Sequence, residues 1–271
     1  MSEVKVIFFT ALKQAIIDEV VSYVPSGYDL TVLGRESTKE QQIEAVKDAD
    51  FLLCYGMDPS DEVVRAAEKC RLVQLLAAGY DRVNLTLLRD LEIPCANNGG
   101  ANSWAVSDHA LLLMLSIYKQ LLASDPATRQ GRWNEPITGQ NTFEMAGKKV
   151  GVLGIGNIGK QVAKRVQSFD AQVQYYDLYP LDDEVSKNLG VTYVSLEELF
   201  RTSDIITCHT PLTGDTHHIV NAERLAMMKS SAILINTSRG PVVDEQALIE
   251  ALELGIIAGA GLDVFEQEPV D

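Results

Sequence analysis

The chain has 271 residues, of which 46% are hydrophobic and 23% charged, a composition typical of a globular protein with a full core. That length suggests two domains or one large α/β unit. Acidic residues outnumber basic ones by 38 to 23, and the formal net charge of −15 argues against nucleic acid or an anionic membrane as a partner.

Neither the cysteines nor the apolar segments indicate a secreted, metal-binding or membrane protein. The cysteines lie far apart without metal-like spacing, so they are interpreted as reduced, partly buried thiols: Cys54, Cys70, Cys95 and Cys208. A strand pattern starts almost at Met1 and lacks the layout of a signal peptide. The most apolar helical stretch, residues 110–115, is too short to span a bilayer, so we expect a cytoplasmic protein with no metal site.

In the first hundred residues, short β-branched runs alternate with amphipathic helical patterns, which is typical of a parallel sheet. The predicted strands are Lys5–Phe9, Leu30–Leu33, Phe51–Cys54, Leu72–Leu75 and Pro94–Ala96. Helical patterns such as Lys39–Lys47 and Asp61–Lys69 fall between them. A long helix is predicted next, from about Ser103 to Ala123, and the polar segment Asp125–Gly147 is predicted to be an irregular connection.

A second alternating series begins at Lys149. Its predicted strands are Lys149–Leu153, Gln172–Tyr176, Val191–Val194, Asp204–Cys208, Ala232–Asn236 and Ala258–Leu262. Six strands with intervening helices match the doubly wound order associated with dinucleotide binding. The fold class is therefore α/β, with two doubly wound parallel-sheet lobes.

A glycine-rich turn follows the first strand of this second series. Gly154, Gly156 and Gly159 form a G-x-G-x-x-G pattern, in which Asn157 and Ile158 begin a helix. Gly154 would permit a tight turn, Gly156 the close approach of a pyrophosphate, and Gly159 the packing of helix on strand. The helix N-terminus would then bind the phosphates. The alternative is a structural glycine turn without a ligand.

Asp177 lies about twenty residues beyond the glycines, at the end of the next predicted strand, where an acid accepts hydrogen bonds from the adenine ribose. The following residues, Leu178-Tyr179-Pro180, include no arginine that would bind a 2′-phosphate. The predicted cofactor is therefore NAD rather than NADP.

Motifs in the second half resemble those of the D-isomer-specific 2-hydroxyacid dehydrogenases. They are His-Thr-Pro-Leu-Thr at 209–213, Ile-Asn-Thr-Ser-Arg-Gly at 235–240 and Gly-Leu-Asp-Val-Phe-Glu-Gln-Glu-Pro at 261–269. The resemblance is thinner at 78–81 and 97–102. It implies hydride transfer between NAD(H) and a small 2-hydroxy or 2-oxo acid. It also implies a flavodoxin-like substrate domain at 1–102, a Rossmann NAD-binding domain at 103–271, and a homodimer.

The resemblance assigns the catalytic roles to Arg239 and Glu268. Arg239 directly follows a strand, and its planar guanidinium suits a substrate carboxylate; the alternative is a surface arginine before a turn. Glu268, selected over Glu266 by the adjacent Pro269, matches the glutamate that orients a catalytic histidine. The alternative for Glu268 is a solvated acidic loop.

The resemblance also implies further contacts. Residues expected beside the cofactor are His209, Thr210, Pro211, Thr237 and Asp263. The Ala78-Gly79 turn is expected to bind substrate through backbone N–H groups. Asn102 is either a substrate residue or the N-cap of the long helix. His109, His217 and His218 are expected to have structural or solvent roles, and no role is assigned to Asp108, which stands where relatives have glutamate.

The family's catalytic histidine lies in a Pro-His segment downstream of the Glu-Pro junction, and none of the four histidines here lies on a matching segment. We therefore expect a C-terminally shortened chain that also lacks the helix returning to the first lobe, and that binds NAD but turns over 2-oxo acids slowly. The alternative function is an NAD-sensing protein similar to the co-repressors of this fold. The particular 2-hydroxy acid, the preferred direction and the oligomeric state are not specified by these motifs.

Overall fold

A computed structural model of the protein describes residues 3–132 and 142–270. The chain divides into two compact units, Met1–Ala101 and Asn102–Asp271. Each unit contains one all-parallel sheet with interleaved helices, as the alternating patterns predict.

The first unit has a five-stranded sheet in the order β2-β1-β3-β4-β5, which is the flavodoxin-like order. Its strands are β1 (Val4–Thr10), β2 (Tyr28–Leu33), β3 (Phe51–Tyr55), β4 (Leu72–Leu75) and β5 (Cys95–Ala96). Its helices are α1 (Gln14–Ser22), α2 (Lys39–Val46), α3 (Asp61–Ala66) and α4 (Leu85–Asp90).

The two faces of this sheet differ in how they are covered. Ile7, Phe9 and Leu52 point to one face and join side chains of α2, α3 and α4 in a closed core. The other face carries α1, which has no buried residue. There an apolar groove of about 370 Å³ remains between α1 and side chains such as Phe8 and Leu53.

The second unit has a six-stranded sheet in the order β11-β10-β9-β6-β7-β8, which is the doubly wound order of dinucleotide-binding domains. Its strands are β6 (Lys149–Leu153), β7 (Gln172–Tyr176), β8 (Val191–Tyr193), β9 (Ile205–Cys208), β10 (Ile233–Asn236) and β11 (Gly259–Leu262). Its helices are α5 (Ser103–Tyr118), α6 (Leu121–Arg129), α7 (Asn157–Gln167), α8 (Asp183–Leu189), α9 (Leu196–Thr202), α10 (Ala222–Met227) and α11 (Glu245–Glu253).

The central strands of the second sheet are buried on both faces. Every residue of β9 and β10 is buried, which explains why these strands are mainly apolar rather than alternating between polar and apolar residues. On one face α5 and α7 pack through Ala110, Met114 and Val162, and on the other face α10 and α11 pack through Leu225 and Leu248. The prediction of two doubly wound parallel-sheet lobes is confirmed.

The prediction of one helix from Ser103 to Ala123 is wrong. α5 ends at Tyr118, and Gln120 adopts a left-handed conformation with φ of +53°. The Ser124 hydroxyl donates to the Gln120 carbonyl at 2.7 Å, and α6 starts at Leu121. Two short helices therefore replace the single predicted one.

The predicted irregular connection at Asp125–Gly147 is wrong in its first part, because α6 continues through Pro126 to Arg129. A proline within a helix loses the hydrogen bond to the carbonyl four residues earlier. That residue is Leu122, whose side chain is 85% exposed, so water can reach this part of the helix. Residues 133–141 of the predicted connection lie outside the described residues. No helix within residues 3–132 and 142–270 combines the length and the hydropathy that a membrane span requires.

Candidate functional site

The predicted cofactor residues lie at one edge of the second sheet. Because β6, β7, β9, β10 and β11 are parallel, the segments that follow them leave the sheet at the same edge. Ligands of open α/β sheets bind at that edge. The segments carry Gly154–Gly159, Asp177, His209–Pro211, Thr237–Arg239 and Asp263.

Steric constraints distinguish the three glycines of the turn. Gly154 has φ of +94°, and a Cβ there would lie 2.9 Å from the backbone of His209 and of Thr210. A Cβ on Gly159 would lie 2.2 Å from the Gly154 carbonyl oxygen. Gly156, in contrast, has no atom within 4 Å of its Cβ position. The first and third glycines therefore permit internal packing, while the second leaves open space beside the backbone.

The open space lies at the N-terminus of α7, whose first residues are Asn157 and Ile158. Within residues 3–132 and 142–270, no group accepts a hydrogen bond from the N–H of Gly156, Asn157 or Ile158, so the first N–H groups of this eleven-residue helix remain available to a ligand. N–H groups and the positive end of the helix dipole together favour an anion. These residues fit the pyrophosphate of a dinucleotide.

The Asp177 carboxylate is fixed beside the glycine turn. Its Oδ2 accepts a hydrogen bond from the Ile155 N–H at 2.8 Å, and its Oδ1 accepts one from the Tyr179 N–H at 3.0 Å. A carboxylate has about four acceptor positions, so two backbone bonds leave capacity for ribose hydroxyls. Asp177 is thus both oriented and able to bind a ribose.

His209 lies in the interior of the site between two threonines. Its Nε2 is 2.8 Å from Thr207 Oγ1, and its Nδ1 is 3.5 Å from Thr237 Oγ1. Burial lowers the pKa of His209 to about 3, so the imidazole is neutral. A neutral, half-buried ring suits the wall of a cofactor site better than proton transfer.

The neighbouring Thr210 has an unusual hydroxyl group. Its Oγ1 is buried and has no hydrogen-bond partner within residues 3–132 and 142–270. A buried polar atom without a partner costs free energy unless a ligand or water satisfies it. Because Thr210 adjoins Gly154, this oxygen is a second observation that fits a polar ligand at the glycine turn.

Arg239 is presented by a turn that Asn236 stabilises. The buried Asn236 Oδ1 accepts hydrogen bonds from the Ser238 N–H at 3.0 Å and the Ser238 hydroxyl at 2.7 Å. The Asn236 amide donates to the Arg239 carbonyl at 2.9 Å. The half-buried guanidinium donates from Nη1 to the Ser238 carbonyl at 2.8 Å. This turn places a planar cation at the ligand-binding edge of the sheet.

The segment after β11 lies directly against this turn. A Cβ on Gly240 would lie only 1.9 Å from the Phe265 carbonyl oxygen, so only glycine permits this approach. Glu268 Oε1 accepts a hydrogen bond from the Phe265 N–H at 3.0 Å. The structure therefore brings the segment that carries Glu268 against the residue that follows Arg239.

Two contacts in this region were missed by sequence reasoning. His109, on α5, places Nε2 3.4 Å from Asp263 Oδ1. His218 places Nε2 2.7 Å from Glu266 Oε1. No local pattern indicates either contact, because each joins residues that are far apart in the sequence. Asp108, which had no predicted role, accepts a hydrogen bond from Arg165 Nε at 2.5 Å and links α5 to α7.

The predicted substrate residues Ala78 and Gly79 follow β4 in the first unit. Asn97 Nδ2 donates to the Ala78 carbonyl at 2.7 Å and holds the turn. No described residue accepts a hydrogen bond from the N–H of Ala78 or Gly79, so both can bind an anion. Asn102, in the second unit, occupies the N-cap position of α5, but its side chain makes no capping hydrogen bond. Asn102 therefore stands at the N-cap position without capping the helix through its side chain, and its substrate role stays a prediction.

Comparison with known proteins places these features in a family. Residues 111–271 match the domain described as "D-isomer specific 2-hydroxyacid dehydrogenase, NAD binding domain". The chain is 41% identical over 237 residues to a glyoxylate reductase of Korarchaeum cryptofilum, and the match covers 86% of this chain and 71% of that relative.

Solved structures of D-2-hydroxyacid dehydrogenases also superpose on this chain. A D-mandelate dehydrogenase of Rhodotorula graminis in its holo form superposes with a TM-score of 0.88 at 28% identity, covering 100% of this chain and 84% of that one. A D-lactate dehydrogenase of Aquifex aeolicus, complexed with NAD and lactic acid, superposes with a TM-score of 0.83 at 27% identity, covering 97% and 78%.

Proposed function

Because this chain belongs to the D-isomer-specific 2-hydroxyacid dehydrogenase family, we propose that it reduces glyoxylate or a similarly small 2-oxo acid. It is an NAD-dependent oxidoreductase that transfers a hydride between a 2-hydroxy acid and a 2-oxo acid. The choice of glyoxylate is supported by the identity of 41% to a glyoxylate reductase. The observation that carries the proposed mechanism is the packing of Phe265 on Gly240, which brings Glu268 toward the turn of Arg239.

The second unit holds the cofactor in this proposal. NAD supplies the hydride acceptor or donor when it is bound. The N–H groups at Gly156, Asn157 and Ile158 bind the pyrophosphate, and Asp177 binds the adenine ribose. The residues proposed to line the remainder of the site are Gly154, Gly159, His209, Thr210, Pro211, Thr237 and Asp263.

The chain's own groups orient and polarise the acid. Arg239 holds the carboxylate through its planar fork and draws electron density from the neighbouring carbonyl, which favours arrival of the hydride at that carbon. Glu268, whose Oε1 accepts a hydrogen bond from the Phe265 N–H, would orient the family's catalytic histidine, which the resemblance places in the Pro-His segment downstream of Pro269 and which exchanges a proton with the substrate oxygen. Ala78, Gly79 and Asn102 are kept as proposed substrate-binding residues.

A role as an NAD-sensing protein without turnover gains no support, since the relatives and structures compared above are named as enzymes. We further propose that the protein acts in the cytoplasm as a homodimer without a nucleic-acid or membrane partner. The net charge of −15 supports the absence of a nucleic-acid or anionic-membrane partner, because both would repel the protein. Light scattering after size exclusion measures the oligomeric state directly.

A substrate panel tests the proposed function. NADH oxidation is followed with glyoxylate, hydroxypyruvate, pyruvate and a phosphorylated 2-oxo acid as alternative substrates. Glyoxylate is expected to give the highest kcat/KM, and the phosphorylated acid the lowest. In a form of the protein that includes the family's Pro-His segment, tight NADH binding without turnover of any substrate would contradict an enzymatic role, and preference for the phosphorylated acid would contradict the substrate class.

A further inference from the structure

A group of polar side chains contacts the segment that carries Glu268 and takes no part in the chemistry described so far. His218 lies in the loop after β9, and Asp244 and Glu245 lie at the start of α11. Glu266 lies in the segment after β11, residues 263–268, which carries Asp263 at one end and Glu268 at the other.

The Glu266 carboxylate joins these separate parts of the chain. Its Oε1 accepts a hydrogen bond from His218 Nε2 at 2.7 Å and one from the Glu245 N–H at 3.2 Å. In return the Glu266 N–H donates to Glu245 Oε2 at 3.0 Å. Segment 263–268 is therefore held at its centre by both the His218 loop and α11.

His218 is itself fixed in this arrangement. Its N–H donates to the Pro241 carbonyl at 2.8 Å, and its Nδ1 lies 4.0 Å from Asp244 Oδ2. Asp244 in turn caps α11, since its Oδ1 accepts from the Ala247 N–H at 3.0 Å. The imidazole thus bridges a helix cap and the Glu266 carboxylate.

The position of Glu266 links this arrangement to the proposed active residues. The adjacent Phe265 packs on Gly240 through its carbonyl and donates its N–H to Glu268 Oε1. At the other end, the Asp263 N–H donates to the Asn236 carbonyl at 3.0 Å. A shift of Glu266 would therefore move Phe265 and, through it, Glu268, while the end of β11 stays attached to the sheet.

We propose that Glu266 and His218 are positioning residues, which hold segment 263–268 so that Glu268 faces the Arg239 turn. This inference rests on the proposed function of Glu268. The pair is partly exposed, with 34% of the His218 side chain and 36% of the Glu266 side chain accessible, so it contributes little to overall stability. Displacement of a catalytic group by about 1 Å, by contrast, can reduce the rate by about a hundredfold.

Kinetic measurements test the proposal on variants of a form of the protein that includes the family's Pro-His segment. Glu266→Ala is expected to lower kcat for glyoxylate about tenfold, with Tm and the Kd for NADH nearly unchanged. Glu266→Gln keeps an acceptor for His218 and for the Glu245 N–H, so it should restore most of the rate. Glu250→Ala removes an exposed glutamate from α11, the helix that Glu266 contacts, and is the matched control, which should be neutral. EDTA is present throughout, because His218, Asp244 and Glu266 place ligand atoms within 4.8 Å of one another and could bind a stray cation.

A double-variant cycle separates positioning from a general structural effect. If Glu266 acts through Glu268, the kcat of the double variant Glu266→Ala/Glu268→Gln should be less than about twofold below that of Glu268→Gln alone. Multiplicative losses in the double variant would overturn the proposal, and so would a failure of Glu266→Gln to restore the rate.

Hydrogen exchange provides a readout that does not depend on turnover. In Glu266→Ala and in His218→Gln, the amides of Phe265 and Glu266 should exchange about tenfold faster, while those of β11 should be unchanged. Unchanged exchange at 265 and 266 would overturn the proposal even in an active enzyme. The unmodified protein could turn over no 2-oxo acid while the variants still show faster exchange at Phe265 and Glu266. In that case the proposed function is wrong, but the conclusion that Glu266 and His218 hold segment 263–268 remains supported.

Discussion

At the scale of single residues, the candidate site depends on side chains whose orientation is set by backbone hydrogen bonds. Asp177 is held by the N–H groups of Ile155 and Tyr179, and Arg239 by the Asn236 turn. Such fixed groups pay little conformational entropy when a ligand arrives. Their removal should therefore change binding or catalysis without changing the fold.

Substitution of Arg239 tests its role in substrate binding. Arg239→Gln should lower kcat/KM for glyoxylate about thirtyfold, equivalent to about 2 kcal/mol, because a charged bidentate contact is lost. Arg239→Lys keeps the charge but not the fork, so it should recover only a small part of this loss. The Kd for NADH, measured by calorimetry, should change less than twofold. A variant that lost NADH affinity but kept its turnover would assign Arg239 to the cofactor instead.

Substitution of Asp177 tests cofactor selection. Asp177→Ala should weaken NAD binding about tenfold or more, since charged hydrogen bonds are worth about 1.5–3 kcal/mol each. It should also narrow the preference for NAD over NADP, because the carboxylate repels a 2′-phosphate. The exposed Asp183→Ala on α8 is the control. Calorimetric titration with both dinucleotides measures each effect, and tighter binding of NADP than of NAD by the unmodified protein would disprove the assignment.

At the scale of elements, the glycine turn and α7 show how packing separates structural from binding positions. Gly159 lies against the Gly154 carbonyl, while Gly156 faces open space, although both belong to the same motif. A methyl group at each position should therefore have different consequences.

The pair Gly156→Ala and Gly159→Ala tests this difference. Gly156 has φ of −69°, which alanine adopts readily, so Gly156→Ala should keep Tm within about 2 °C and weaken NAD binding at least about tenfold. Gly159→Ala should cost about 1–3 kcal/mol of unfolding free energy, because the methyl group displaces α7 from β6. Thermal unfolding without NAD measures the stability of each variant, and the rise in Tm on adding NAD measures its affinity for the cofactor. Equal losses of stability in the two variants would show that the Gly156 space is needed for folding.

At the scale of the whole molecule, each unit encloses its own apolar core. The domain boundaries predicted from the sequence, 1–102 and 103–271, stay a prediction. The burial of His209 within the second unit gives the protein a specific sensitivity to acid, because the unfolded chain binds a proton more readily than the folded one does.

The stability of the protein should fall below neutral pH for this reason. The pKa of His209 is lowered from 6.5 to about 3, so its contribution is complete above pH 6.5 and is lost as the pH falls toward 3. The slope is at most about 1.4 kcal/mol per pH unit for one proton. Urea unfolding between pH 7 and 4.5 should show a flatter profile in His209→Gln than in the exposed control His217→Gln. Parallel profiles would mean that the His209 imidazole is accessible to protons in the folded chain.

The sequence by itself determined the strands of both sheets and the family. The predicted strands Leu72–Leu75, Lys149–Leu153 and Gln172–Tyr176 have the observed bounds, because burial on one or both faces imposes a local pattern of apolar residues. The predicted cofactor segments share one edge of the sheet for a similarly local reason, since each directly follows a parallel strand. The family motifs indicated the function, which the comparisons confirm.

Only the tertiary structure decided where the chain departs from local preference and which distant residues meet. Gln120 separates α5 from α6 in a left-handed conformation, and Pro126 lies inside α6, although the local sequence predicts a continuous helix followed by a break. The contact of His109 with Asp263 forms only when α5 packs beside β11, and the contact of His218 with Glu266 forms only when β9 and β11 have entered the same sheet. Contacts of this kind depend on the packing of whole elements, and no spacing in the sequence encodes them.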